Sequence, residues 1–240
     1  MRMPLKTNVR LDPVKLGVLD LAHRRFRLRS AADLGAVWAV DAGYSLHLAA
    51  KPGIERVVCV DENFTAAASS AIARRRNVSE VPGNFADERV REAVGRVDAI
   101  IMFDVLLHQV APDWDELIER YATQASCLIL AGPWYRAGRG ETIRLLELGE
   151  AGYLATVCEQ ELNVGLFERL DEFNQERGRP WRDVHDIWQW GITDADLRDR
   201  VAELGFELAF YESHGTWRSL PAFTDGVYVF ARPELLDRRP

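Results

Sequence analysis

The chain contains Ser30-Ala-Ala-Asp33-Leu-Gly35-Ala-Val-Trp38-Ala-Val-Asp41-Ala-Gly43-Tyr44-Ser45, and continues to Val57-Val-Cys59-Val-Asp61-Glu62-Asn63. In order this reads as a short apolar strand, a loop holding two glycines, a helix, a second strand and an acidic residue. Such a βαβ unit sets a nucleotide-like ligand over the carboxyl edge of a parallel sheet. Gly35 and Gly43 allow a loop backbone to come close to a ligand, and a carboxylate after the second strand accepts hydrogen bonds from a ribose diol. The phosphate-binding spacing G-x-G-x-x-G is absent.

On either side of this stretch the chain alternates. Residues 31–37 form the first expected strand, and a helix starts within residues 45–51. Val57–Val60 is the second strand, and Phe64–Arg76 is a helix closing on Arg74-Arg75-Arg76. Cations at a helix C-terminus complement its dipole at ~0.3–1 kcal/mol each. Val78–Val81, Val97–Phe103 and Cys127–Ala131 are the next strands. Gly83-Asn84-Phe85-Ala86-Asp87 leads into a helix ending near Gly95, and Pro112–Ala122 is an amphipathic helix. Strands alternating with helices predict a doubly wound parallel sheet.

The flanks read differently. Residues 1–29 begin irregular and polar. Asp12 then caps a helix with Pro13 at its first position, and Leu16, Leu19 and Leu21-Ala22 give its apolar face. This helix precedes the first strand as part of a lid. After Gly132 the chain turns aromatic with Pro133-Trp134-Tyr135, Arg139–Leu148 reads as a helix, and residues 151–190 hold Trp181, His185, Trp188 and Trp190 with no alternation. An aromatic-rich insertion here is expected to cover something. Thr193 caps a helix that Gly205 ends. Phe206–Glu212 and Val227–Ala231 then form an antiparallel pair at the sheet edge. One domain results, with an N-terminal helix (1–29), a ligand-binding core (30–132), a cap (133–192) and a C-terminal helix and strand pair (193–240).

Bulk properties set limits. The 240 residues suit one large α/β domain, and 48% hydrophobic content is enough for a core. A formal charge of -7 does not favour a nucleic-acid backbone as partner. Cys59, Cys127 and Cys158 form no close pair and no metal-type spacing, which fits a reducing interior. No secretion pattern opens the chain and no apolar run approaches ~20 residues, so the expectation is a cytoplasmic protein with no membrane partner.

The strand-end residues together resemble the class I S-adenosylmethionine-dependent methyltransferases, over roughly residues 30–131 and 193–232. That family carries an acidic-x-Gly-x-Gly motif on its first strand. Asp33-Leu-Gly35 matches its start, while the second glycine is displaced to Gly43-Tyr44-Ser45, giving an elongated glycine loop. Asp61, with Glu62 beside it, matches the ribose-binding acid. Gly83-Asn84-Phe85 matches the turn that packs on adenine, with Asn84 where the family often has Asp. Asp104-Val-Leu-Leu-His108 matches the loop after the fourth strand. The runs Arg144–Gly149 and Ile187–Thr193 look like those of a subgroup. The resemblance implies a Rossmann-like, seven-stranded, mostly parallel sheet with a terminal antiparallel strand, helices on both faces and a small aromatic-rich cap.

It also implies S-adenosylmethionine as cofactor, a ligand that has no phosphate and needs no phosphate loop. Asp33, Gly35, Gly43, Tyr44, Asp61, Glu62, Asn84, Phe85 and Asp104 are the expected cofactor residues. His108 is the leading candidate base, because histidine titrates near neutral pH and its loop borders the methyl group in the family. His185 is the second candidate, or a metal ligand with Asp186, although no compact metal motif accompanies it. Trp38 sits in the elongated loop as a substrate-contact candidate. Trp134, Tyr135, Trp188 and Trp190 either line an acceptor pocket or pack as ordinary core. His47 is expected against the sheet. The function these readings imply is methylation of a small-molecule acceptor, foremost at a hydroxyl, by a protein with room for a homodimer. The alternatives are a non-catalytic binding protein of the same fold, or another Rossmann-type enzyme such as a nicotinamide oxidoreductase.

Overall fold

The computed structural model describes residues 10–137, 140–158, 163–216, 218 and 220–237. The expected irregular start therefore falls on residues outside the description, except for Arg10–Asp12.

The sheet follows from buried apolar runs. Its parallel strands are β1 (Ser30–Leu34), β2 (Arg56–Asp61), β3 (Val78–Pro82), β4 (Ala99–Phe103) and β5 (Cys127–Tyr135). Four short strands follow in the cap: β6 (Ile143–Arg144), β7 (Phe173–Asn174), β8 (Arg179–Pro180) and β9 (Trp190–Gly191). Then come β10 (Glu207–Thr216) and β11 (Phe223–Ala231). The seven-stranded sheet has the order β10-β11-β5-β4-β1-β2-β3. β11 runs antiparallel to both neighbours and separates β10 from β5.

Side chains alternate across this sheet and divide it between two helical layers. One face (Ala31, Val57, Cys59, Ile101, Phe103, Ile129) packs under α1 (Pro13–Phe26), α2 (Gly43–Ala49) and α3 (Ala66–Ala73). The other (Ala32, Val58, Ile100, Met102, Leu128, Tyr228) packs under α4 (Glu88–Val94), α5 (Trp114–Ala122) and α7 (Asp194–Glu203). Residues buried on both sides explain why the central strands read as unbroken apolar runs. Among the described residues no helix is long and apolar enough to cross a membrane.

Four local expectations change. β1 stops at Leu34, three residues early, because Gly35 turns the chain at φ 79°. β5 runs on through Tyr135, because β11 pairs with it along its whole length, from Cys127↔Ala231 to Tyr135↔Phe223; Trp134 and Tyr135 are therefore sheet residues. Arg139 lies outside the described residues, and the helix expected to Leu148 is instead β6 followed by a 3-10 turn at Leu145–Leu148, with α6 (Gly149–Thr156) after it. Tertiary pairing overrides propensity there, since Ile143 and Arg144 pair with Gly191 and Trp190, and Leu145 N–H donates to the Gln189 carbonyl at 2.8 Å. On α1 the buried stripe is Lys15, Val18, Leu19, Ala22 and Phe26, and not Leu16 or Leu21. Asp12 caps that helix as expected, accepting from Val14 N–H at 2.8 Å. A short α8 (Pro233–Leu236) ends the described chain.

Candidate functional site

Most of the expected cofactor residues lie where the parallel strands end. Asp33, the penultimate residue of β1, faces α2 and is almost fully buried; its Oδ2 accepts from the Ser45 hydroxyl at 2.6 Å. Burial pushes its carboxyl up to about 6. Gly35 follows at the strand end. A Cβ there would come within 2.5 Å of Val105 Cγ1 and 3.9 Å of the Phe85 ring, so glycine lets the loops after β1, β3 and β4 meet.

The elongated loop folds back on itself. Asp41 N–H donates to the Val37 carbonyl and Ala42 N–H to the Ala36 carbonyl, each at 2.9 Å. Ala39, Asp41 and Ala42 all have positive φ, at 58°, 46° and 62°. Such a conformation costs a non-glycine residue ~1–2 kcal/mol, so outside contacts must hold it. Asp61 Oδ2 accepts from Val37 N–H at 2.9 Å, and Asp41 Oδ1 accepts from the Thr65 hydroxyl at 2.7 Å. Asp61 Oδ1 accepts from Asn63 N–H at 2.9 Å. Asp61 thus anchors the loop through Oδ2 and its own turn through Oδ1, and keeps spare lone pairs on each. Burial raises its pKa.

Other expected cofactor residues divide into two groups. Glu62 and Asn84 lie together, Asn84 Nδ2 donating to Glu62 Oε1 at 3.0 Å, with Asn84 Oδ1 taking Ala86 N–H at 2.8 Å. Phe85 is beside them, its carbonyl held by Tyr121 OH at 2.7 Å. Gly43 and Tyr44 instead serve α1. Leu11 leaves no room for a Cβ on Gly43, its Cδ2 being 2.6 Å from that position. Tyr44 OH accepts from Asp12 N–H at 3.0 Å, and its ring stands edge-on to Phe103. His47 likewise turns to α1, with Nε2 2.7 Å from Asp20 Oδ1, and not to the sheet.

Asp104 directly follows β4, at φ 57°. Its Oδ2 pairs with Lys15 of α1, while Oδ1 is buried near Gly132 without a hydrogen-bond partner. An unpaired buried acceptor costs about 1–3 kcal/mol. Lys15 carries no motif signal, which is why the sequence reading passes over it; its place on the buried stripe of α1 is the only hint.

The loop after β4 is laced to the cap. Gln189 N–H donates to the Leu107 carbonyl at 2.9 Å, and Trp190 Nε1 donates to the Gln109 carbonyl at 2.6 Å. Within this lacing, His108 Nδ1 donates to the Ile187 carbonyl at 2.8 Å. A carbonyl can only accept, so the proton sits on Nδ1 and Nε2 presents its lone pair. Burial pushes the ring's pKa down, keeping it neutral. His185 differs. Arg179 Nη1, an obligate donor, lies 2.6 Å from its Nε2, where the Val110 carbonyl is also 3.0 Å away, and Asn84 Nδ2 is 3.5 Å from Nδ1. Burial, with the Arg179 charge, depresses its pKa. A neutral imidazole has one acceptor nitrogen, and with Arg179 donating to Nε2 that lone pair is taken, so His185 has none left for proton abstraction. Asp186 pairs with Arg177. Among the described residues, no three His, Cys, Asp or Glu side chains are grouped to hold a metal.

The aromatics mostly pack. Trp134 is 5% exposed, its indole N–H donating to the Gly226 carbonyl at 2.9 Å. Tyr135 packs tilted and Trp188 edge-on against Phe223 in the cap's own core. Trp190 is half-buried with Arg144 over its ring. Trp38 alone of the five stands open, 70% exposed on the loop.

No protein-family model matches the chain, and no curated protein matches it. Solved structures do. The N-terminal domain of EvdMO1 with SAH bound superposes with a TM-score of 0.58 at 15% identity, over 93% of this chain and 82% of that one. Magnesium protoporphyrin IX methyltransferase from Synechocystis PCC 6803 with bound SAH gives 0.55 at 16%, over 92% and 82%. The 1,6-didemethyltoxoflavin-N1-methyltransferase of Burkholderia thailandensis, with that compound and S-adenosylhomocysteine bound, gives 0.55 at 13%, over 92% and 79%. The likeness is one of fold: the chain has the Rossmann-like fold of these methyltransferases.

Proposed function

We propose that this protein is an S-adenosylmethionine-dependent methyltransferase that acts on a small-molecule hydroxyl, with His108 as general base. The residues at the carboxyl edge fit the cofactor. Gly35 lets the loop after β4 close against the end of β1, Asp104 carries an unpaired buried acceptor, and the carboxylates of Asp33, Asp61 and Asp104 suit a ligand bearing a sulfonium and an ammonium. Asp61 and Glu62 would hold the ribose, and Asn84 and Phe85 the adenine. When bound, the cofactor supplies an electrophilic methyl group.

The observation that carries the reading is His108: a neutral imidazole with its tautomer set by the Ile187 carbonyl and its Nε2 lone pair unused. Such a group removes a proton from a hydroxyl as the oxygen attacks, a contribution of roughly 10²–10⁴-fold. The loop lacing holds it in place between the sheet and the cap of residues 133–192, where the acceptor would lie. That structural neighbours of this fold act on compounds such as a didemethyltoxoflavin or a porphyrin supports a small-molecule acceptor.

A second reading has one observation behind it. Both Asp61 oxygens already serve the chain's own backbone, which favours a weakened, non-catalytic binder. Calorimetric titration with S-adenosylmethionine and S-adenosylhomocysteine, followed by acceptor screening with labelled cofactor, separates the two. Binding with turnover on a hydroxylated acceptor is expected. His108→Ala should then lose roughly 10²-fold or more in turnover with S-adenosylhomocysteine affinity intact. No binding at millimolar ligand would remove the cofactor assignment, and unchanged turnover would remove His108.

A further inference from the structure

An open hollow lies at the amino edge of the sheet, where β1 and β2 begin, at the opposite end of the strands from Asp33 and Asp104. It sits between the C-terminus of α1 and the turn from α2 into β2, and its volume is about 530 Å³, within the ~300–1,000 Å³ usual for small-molecule sites. Arg24, Arg27 and Arg29 line it together with one acid, Glu55, which leaves a surplus of two positive charges in a chain of formal net charge -7. Arg29 commits its guanidinium to Glu55. Arg24 and Arg27 are exposed and, among the described residues, have no hydrogen-bond or ion-pair partner. His23, also in the wall, leaves its Nδ1 buried without a partner, where nearly all buried polar atoms have one. The chain thus places basic side chains around one hollow and supplies no acceptor for them.

Backbone geometry singles out Arg27. It caps α1 in the left-handed region, at φ 52° and ψ 47°, where a helix ends with least strain on glycine. Cations in a last turn complement the helix dipole, but that accounts neither for a long side chain at a glycine position nor for the hollow it lines. On the far wall Pro52 and Gly53 are exposed, and a Cβ on Gly53 would meet nothing within 4 Å, so the space above them is open to the body of a ligand. Guanidinium forks match the oxygens of a phosphate, and a phosphate monoester carries roughly two negative charges at neutral pH, the size of the local surplus. A carboxylate would neutralise half of it. We propose that this hollow is a phosphate-binding site, Arg24 and Arg27 taking the phosphate oxygens. It stands apart from the methyl-transfer reading and does not rest on it.

The test is calorimetry on the whole chain with inorganic phosphate, ribose 5-phosphate and uridine 5′-monophosphate, and with uridine as the control that lacks the phosphate. Wild-type protein is expected to bind at least one phosphate compound, and uridine about tenfold more weakly or not at all. An ester that binds more tightly than inorganic phosphate identifies a phosphate monoester as the occupant, and equal affinity identifies phosphate itself; both support the site. Arg27→Gly keeps a backbone suited to the turn and removes the guanidinium, so it should weaken the phosphate ligand by about tenfold, the scale of one charge-assisted hydrogen bond. Arg24→Gln should do the same, and it decides the matter if Arg27→Gly does not fold, because the Arg24 side chain is exposed. Arg25→Gln is the control for charge alone: Arg25 donates to the Ala209 carbonyl and does not line the hollow, so its loss should leave the affinity within about twofold, well short of the effect of one charge-assisted hydrogen bond. No binding of any phosphate compound at millimolar concentration overturns the proposal. So does wild-type affinity in the deciding variant, or an equal loss in Arg25→Gln, which would mean diffuse attraction and no site.

Discussion

At the scale of single residues, Asp33 sits at the centre of the site and bears a cost. Its carboxyl is pushed from 3.8 to about 6, chiefly by burial and then by Asp61, against the pull of the Ser45 hydroxyl and Lys15. Between about pH 4 and 6 the folded protein holds a proton that the unfolded chain has released. Stability therefore falls as pH rises through that window and levels off above it. The difference corresponds to about 3 kcal/mol at most. Asp33→Asn removes the titration, so its denaturant midpoints should fall less between pH 4 and 7 than those of the wild type. His108 and His185, whose pKa values burial depresses, act in the opposite sense but in both proteins, and cancel in the comparison. Parallel curves for the two proteins would show that Asp33 is not a buried ionised group. The same residue shows what was readable early: Asp33 and Gly35 announce themselves by spacing, whereas Lys15 belongs to no motif and gains meaning only from facing Asp104.

At the scale of elements, the loop between Gly35 and Gly43 is the strained connection. Three residues with positive φ could not hold it alone. Thr65 is the link that joins it to the next helix. Its hydroxyl oxygen accepts from Ala68 N–H at 2.9 Å as the cap of α3 and donates to Asp41 at 2.7 Å. Thr65→Ala should cost ~1 kcal/mol for the cap, with added loss from the loop. Hydrogen exchange should rise at the amides of Asp41 and Ala42, while Thr65→Ser should restore both stability and protection. Unchanged exchange in Thr65→Ala would mean that Asp61 holds the loop unaided. Element identity was largely legible, because four of the five parallel strands are largely apolar and buried, with caps and glycines between them. The helix expected through Leu148 failed because β6 finds its partner β9 some 45 residues later, a pairing no local window contains.

At the scale of the whole molecule, the cap and the core act as one body through the loop after β4. Gln189, fully buried, is the knot. Its amide nitrogen donates to the carbonyls of Arg182 and Val184 at 3.0 and 2.8 Å, and its oxygen accepts from Arg144. Its own backbone N–H holds Leu107. Gln189→Ala strands the Val184 carbonyl, at a cost of about 1–3 kcal/mol, while the Arg182 carbonyl keeps Arg144 and Arg144 keeps Asp183. Limited proteolysis is expected to cut the cap faster, between residues 163 and 190, and His108 should lose its fixed orientation along with it. A variant with wild-type proteolysis and melting would show the cap to be held by its apolar core alone.

The alternating architecture, the strand ends and the acidic and glycine residues gathered there are legible in the chain alone, because these depend on local periodicity and on side-chain chemistry at fixed offsets. How those residues are used was settled by packing. Asp61 turned out to brace the loop, Gly43 and Tyr44 to seat α1, and Trp134 to fill core, while His108 and His185 were told apart by which carbonyl or guanidinium each ring met. The physical reason is the same in every case. A polar group's role depends on the partner left to it after packing, and those partners come from segments tens of residues away.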